Sequence, residues 1–464
     1  MKKYILYLLI MFVIVSCKKQ DEWLNVKSNK ADIIPKTLQD YQAILDNNTV
    51  MNSNFPAIGI ISADNGNVSD LIATTGGTLQ ERNAYKWASD IYEGGLSGGV
   101  DWIYPYKAIE YANVVLDGLK NIDKISQSEV QYNNIKGSAL FYRAVAFYAL
   151  AQIYIKPYNS ETAASDPGLL LRISSDVNVR YDRATVQKTY EQIIDDLSQA
   201  VSFLPLTPVY KTRPSVPAAQ MMLAKVYLNM SIYDKAKSFA DLVLNNNNTL
   251  LDFNTLNTAL TYPLPTFKDN NPEILFFNLT LNYSLGSISN RVITSELYNS
   301  YNVNDLRKTI FFRTNTDATH SFRGAYCGSS ETFCGLSLNE LILIRAECLA
   351  RTGHINDAMA DLNLLLSKRW KKNSSGNTTY INQTANSENE ALEIILNERR
   401  KELPFTGNLR WEDLRRLNSD SRFAKTLSRT ILGQIYTLAP NDPKYTLPIP
   451  PSEISINPVI QNPR

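Results

Sequence analysis

The feature that most constrains this chain is a helical hairpin that recurs along it. Across residues 220–248, small or apolar residues at Leu223, Ala224, Tyr227, Tyr233, Ala236, Ala240 and Val243 fit a two-helix template. Small side chains at these positions let two antiparallel helices approach closely. The same template falls on Ile342, Ala346, Leu349, Gly353, Ile355, Ala358, Leu362 and Leu365, with Gly353 at the turn, where a residue free of Cβ strain is useful. A third pair is split. IKGSALFYRAVAFYALAQIY (135–154) supplies its first helix and VQKTYEQIIDDLSQA (186–200) its second; the Pro-, Asn-, Ser- and Asp-rich residues 155–185 read as an inserted loop. One such pair cannot bury its own apolar face, so several must stack on each other and on the rest of the chain.

The spacing is that of tetratricopeptide pairs, and the remaining segments are fitted around them. A helix is predicted to begin at Thr37, an N-cap with Asp40 three residues on, burying Leu38, Tyr41, Ile44 and Leu45. Another is predicted over 106–119 from Ile109, Ala112, Asn113 and Leu116. Residues 46–100, with the pairs Gly76-Gly77, Gly94-Gly95 and Gly98-Gly99 around Tyr85, Trp87 and Tyr92, read as loop-dominated surface, and 250–332 as irregular with short β runs such as 273–278. The tail holds seven of the chain's 20 prolines from Pro440 onward and is expected to lie extended over the body. No composition shift marks a linker. The expectation is a mainly α fold: a tetratricopeptide-like helical-pair scaffold with long irregular loops and a few short strands, in one domain over 17–464.

Charge and reactive residues exclude several function classes. With 47 Lys+Arg against 45 Asp+Glu there is no global field to gather a polyanion, so nucleic acid is not an expected partner. The only histidines are His320 and His354, and no Cys-x-x-Cys occurs, which leaves little from which to build a zinc site, a Ser/His/Asp triad or a Cys/His pair. No cofactor, metal or catalytic residue is expected. Cys348 lies on an apolar helix face; Cys327 and Cys334 bracket a GSSETF loop, and a bridge between them or two free thiols both remain open.

The stretch NERRKELPFTGNLRWEDLRRL (397–417) is the most charged in the chain. Leu392, Ile395, Leu396 and Leu403 form an apolar stripe on a helix that should stop near Pro404. Glu398 with Lys401, Arg399 with Glu402, and Glu412 with Arg415 and Arg416 are expected to pair locally on its polar faces. Alternating signs argue against a basic patch. Glu398 and Glu402, one turn apart on a single helix, cannot flank a sugar from opposite faces as a glycosidase pair must. Ion-paired scaffold is the expected role, and Trp102 and Trp411 are expected to be structural.

The N-terminus adds an address. Lys2 and Lys3 precede an uncharged run over 4–16, too short to span about 30 Å of hydrocarbon but suited to a cleaved leader over 1–16. The run ends in Ile14-Val15-Ser16-Cys17, which resembles the lipobox of bacterial lipoproteins, with Cys17 as the acylated residue, and the polar tether 18–22 is similar to surface-export signals of Bacteroidetes lipoproteins. Acyl chains contribute about 0.8 kcal/mol of membrane affinity per buried methylene.

These residues together carry a family resemblance. Glu398-Arg399-Arg400, Glu402-Leu403, Phe405-Thr406-Gly407, Arg410 and Asp413-Leu414-Arg415 resemble the SusD/RagB signature, with Pro404 as an intrusion. Residues 447–463 resemble the family's ending, and Trp102, Tyr106, Ile109, Ala112 and Asn113 its N-terminal element. The resemblance implies an N-terminal SusD-like part over 20–210, helical pairs over 135–248 and 338–370, and a C-terminal part over 270–464. It further implies a lipid-anchored, surface-exposed outer-membrane protein that is not an enzyme. Such a protein binds a nutrient, most often an oligosaccharide, and passes it to a SusC-like TonB-dependent transporter. A tetratricopeptide adaptor for other proteins, or a lipoprotein that binds peptides, are the alternatives. The ligand site is expected in the loop 64–87: Trp87 as a stacking platform, with Asp64, Asn65, Arg82 and Asn83 as polar contacts. The competing role for Trp87 is a core aromatic under a long loop.

Overall fold

The computed structural model describes residues 35–464 except 54, 94, 96–98, 123–127, 270, 288–289 and 325. The expected leader, the lipidation site Cys17, the tether, and Gly94 and Gly98 lie outside the described residues. The chain opens with α1 (Leu38–Leu45), whose Thr37 and Asp40 form a reciprocal capping box. Leu38, Tyr41 and Leu45 are buried there and Ile44 half-buried. Short helices follow, among them α2 (Ile58–Ser62) and α3 (Leu79–Tyr85). The long scaffold helices are α4 (Val100–Leu119), α5 (Glu129–Tyr154), α6 (Val186–Phe203), α7 (Val216–Asn229), α8 (Tyr233–Leu244), α9 (Leu338–Arg351), α10 (Ile355–Ser367), α11 (Glu388–Glu402) and α12 (Leu409–Leu417). Each from α4 to α10 packs on the next, and α11 packs on both α9 and α10. Ser128, Thr185, Ser215 and Ser387 each accept a hydrogen bond from a first-turn amide, so the sequence itself fixes where α5, α6, α7 and α11 begin.

Buried ion pairs lock neighbouring helices in register. Arg143 of α5 forks onto Asp196 of α6 at 2.8 and 2.7 Å and reaches Asn113 of α4 at 2.9 Å. Arg345 of α9 forks onto Asp361 of α10 at 2.7 Å on both arms. Gly353, at φ +83, turns the chain between α9 and α10.

Away from the stack, β1 (Gly66–Asn67), β2 (Val292–Ile293), β3 (Phe312–Thr314) and β4 (His320–Phe322) form an antiparallel sheet of order β1-β2-β4-β3. A separate hairpin joins β5 (Leu427–Ile431) to β6 (Gln434–Leu438) through Leu432 and Gly433, both at positive φ, as a tight two-residue connection requires. The run at 273–278 contains the strand Ile274–Phe276, paired with Leu336–Ser337.

Four expectations are corrected. Residues 46–100 are not loop-dominated surface: they hold several short helices, and Tyr85, Trp87 and Tyr92 are buried. Helix α4 starts at Val100, six residues before the expected start at 106, and continues through Pro105. The tail is only partly extended; Pro443–Tyr445 is a 3-10 turn and Pro451–Ile456 a short helix with proline at its first position, where the missing N–H is no loss. The charged stretch is ion-paired, but mostly not locally: of the expected local pairs only Glu398–Lys401 forms, at 2.6 Å. Arg399 instead reaches Asp413 at 2.9 Å, and Glu412 lies near Lys225 at 3.4 Å. Arg416 takes Glu347 at 2.6 Å. Glu402 accepts from Arg369 at 2.9 Å and Arg307 at 3.2 Å, all three fully buried at the side chain. Local spacing allows a pair, but burial forces each charge to the partner that also removes it from water. Cys327, Cys334 and Cys348 form no disulfide.

Candidate functional site

The loop expected to carry the ligand is pinned from beneath by the C-terminal third of the chain. Ser69 and Thr78 cap the helices Asp70–Thr75 and α3, and Glu81 answers Thr78 in a capping box while its other carboxylate oxygen accepts from the Leu285 amide at 2.8 Å. After α3, Trp87 takes a positive φ of 53, which swings its indole inward. The indole N–H donates to the Ser62 carbonyl at 3.0 Å. Arg429 of β5 lies under it, its guanidinium carbon 4.0 Å from the Tyr85 ring centroid and 4.5 Å from that of Trp87. The same guanidinium donates to the carbonyls of Tyr85 and Ala63. Burial lowers its pKa to about 10.

The structure places the five expected residues at different depths. Trp87 is 3% exposed. Asp64 is half-buried, held by Arg410 at 2.6 Å, with Arg400 at 3.3 Å and Lys425 at 3.4 Å. Burial pushes the Asp64 carboxyl up, but Arg410 beside it, joined by Arg400 and Lys425, holds it well below the usual carboxylate range. Asn65 is buried and accepts from Arg400 at 2.9 Å. Asn83 is fully buried and donates to Glu93 at 2.8 Å. Arg82, half-buried, donates to the carbonyls of Gly76 and Gly77 at 3.0 and 2.9 Å. Asp64 and Asn65 meet at Arg400; Arg82, Asn83 and Trp87 do not join them on one surface.

An open cleft of about 310 Å³ lies where the Trp87 turn meets the β5–β6 hairpin. Lys86, Trp87 and Ser89 form one wall; Ile435, Tyr436 and Thr437 of β6 form the other, with Lys444 beside them. Ile435 is 67% exposed and Tyr436 half-buried, so the outer wall is apolar and aromatic while ammonium and hydroxyl groups stand at its edges. That arrangement can hold a ring face while meeting hydroxyls around it. The hairpin wall was missed in the sequence, although LSRTILGQIYTL carries a β alternation across a Gly-containing turn. Among the described residues no group of His, Cys, Asp and Glu could hold a metal ion.

Comparisons with known proteins agree with this architecture. A family model described as "Starch-binding associating with outer membrane" matches residues 22–228, and the SusD family model matches residues 285–464. A SusD-like protein of Formosa agariphila is 27% identical over 261 residues, a stretch spanning 53% of this chain and 47% of that relative. A putative sugar binding protein from Bacteroides vulgatus superposes with a TM-score of 0.72 at 22% identity, over 93% of this chain and 99% of its own. A SusD superfamily protein from Bacteroides thetaiotaomicron gives 0.71 at 23% identity, over 92% and 100%. With both family models falling on the segments that build the helical stack, the Trp87 loop and the hairpin, the chain belongs to the SusD/RagB family.

Proposed function

We propose that this protein is a cell-surface lipoprotein, held in the outer membrane through acylated Cys17, that captures a nutrient oligosaccharide and hands it to a SusC-like TonB-dependent transporter. It performs no chemistry on the ligand. Family membership supports the class, and the cleft between Trp87 and Tyr436 is the observation that carries the ligand reading: an aromatic outer wall with polar edges suits a sugar ring. In this reading Trp87 is the inner wall, Tyr436 and Ile435 receive the ring, and Asp64, Asn65, Arg82 and Asn83 set the loop that presents them. Among the described residues no helix is long and apolar enough to cross a membrane.

A glycan array probed with the lipid-free mature chain tests the ligand. Tyr436→Ala should leave the melting temperature unchanged and weaken the best glycan by about tenfold, near 1.4 kcal/mol. Unchanged binding moves the site elsewhere, and peptides retained where no glycan is points to the peptide alternative. Purification of the native lipoprotein from membranes should bring down a large β-barrel; soluble partners alone would favour the adaptor.

A further inference from the structure

A second cavity, of about 510 Å³, opens at the C-terminal end of α12. Tyr158 of the segment inserted after α5, Asn229 at the end of α7, Asn418 and Ser419 after α12, and Tyr445 of the tail line it, together with Arg415; its two carboxylates, Asp166 and Asp442, are paired with Lys156 at 2.6 Å and Lys444 at 3.4 Å. Its volume falls within the roughly 300–1,000 Å³ of small-molecule sites. None of these residues belongs to the Trp87 cleft.

Arg415 makes the cavity more than a packing gap. The side chain is only 3% exposed, yet no carboxylate pairs with it among the described residues. Its neighbours in the signature are all matched: Arg399 with Asp413, Arg400 with Asp64, Arg410 with Asp64 and Arg416 with Glu347. Arg415 has only carbonyls: Nη1 donates to Ala151 at 3.4 Å and to Gln152, and Nη2 to Ile155. Those carbonyls belong to the end of α5, so part of its role is a helix cap. Capping leaves the Nε–H buried and without any partner. Glu412, the nearby carboxylate, is already engaged by the Tyr148 hydroxyl at 2.8 Å and by Lys225. A buried guanidinium left to neutral dipoles is costly, and an anion in the adjoining cavity would offset that cost.

We propose that this cavity binds a monocarboxylate of monosaccharide size, such as a uronic acid, with its carboxylate against Arg415 and its hydroxyls toward the amides of Asn229 and Asn418. The site is separate from the Trp87–Tyr436 cleft and stands without it. The signature then has two tasks, since its paired arginines hold the fold while the unpaired one faces a ligand.

Isothermal titration of the lipid-free mature chain with D-galacturonate, D-galactose and acetate tests this. Galacturonate should bind at least about tenfold more tightly than either galactose or acetate, a difference near 1.4 kcal/mol. Arg415→Gln should remove that preference. Because that variant also loosens the α5 cap, Ser419→Trp provides the second arm: Ser419 is exposed at the cavity wall, and an indole there should block binding with the far-UV spectrum unchanged. Equal affinity for galactose overturns the charge assignment, and equal affinity for acetate overturns the ligand size. Binding that survives Ser419→Trp, or no binding of galacturonate at millimolar concentration, overturns the site itself.

Discussion

Glu402 shows how single side chains hold this protein. One oxygen accepts from Arg369 at 2.9 Å and from the Asn339 amide at 3.0 Å, the other from Arg307 at 3.2 Å. Arg369 continues to Glu273 and Arg307 to Asp305 and Glu398, so the signature motif sits inside a dry ionic cluster. Removing one member strands the rest. Glu402→Ala should cost about 3–5 kcal/mol, read as a lower urea midpoint, because two buried guanidinium groups lose an acceptor at once. That these residues are ion-paired scaffold was legible from alternating charge. Their partners were not, since Arg369, Glu273 and Asp305 lie 33 to 129 positions from Glu402 in the sequence and only folding brings them together. At the candidate site the legible residue was Trp87; the opposing Tyr436 was hidden for the same reason of distance along the chain.

At the scale of elements, what could be read depended on length. Helices α5 to α10 run for 12 to 26 residues, long enough for apolar spacing to repeat, and their positions match the template. Helices of four to seven residues, such as Asn48–Met51 and α3, complete at most two turns and leave no periodic trace. They form because neighbouring segments bury them, a tertiary cause that spacing does not report. Two glycines separate turn chemistry from packing. At Gly353 (φ +83) nothing lies within 4 Å of the place a Cβ would occupy, so Gly353→Ala should cost only the left-handed strain, about 1 kcal/mol. In Gly118 of α4 a Cβ would overlap the Tyr41 ring of α1, and Gly118→Ala should destabilise more and free α1 to proteolysis. Urea midpoints of the two variants, with limited digestion of the second, check the order.

For the molecule as a whole, buried carboxylates set the response to acid. Burial alone would raise Glu347, Asp413 and Glu398, but Arg416 for the first, Arg399 for the second and Arg307 for the third outweigh it and leave all three lowered. A folded pKa below the unfolded one contributes stability that is present above the ordinary carboxylate range and lost as pH falls through the folded value. Asp101, Glu110, Asp196 and Asp361, raised by burial, work in the opposite sense, but they are outnumbered by the lowered carboxylates, which also include Asp64, Asp117, Asp166, Asp252, Glu296 and Asp420. The urea midpoint should therefore stay nearly level from neutral pH to about 5 and fall steeply below about 4. A midpoint that rises on acidification would refute the assignment. One more feature reaches across the entire body. The Leu447 amide donates to the Ile153 carbonyl at 2.9 Å, Asn462 to Tyr154 at 2.7 Å, and Glu453 accepts from the Trp102 indole at 3.1 Å. The first helices of the stack are thus fastened by residues roughly 300 to 350 positions further along the chain, so these three ties close only once residues 447–462 have left the ribosome.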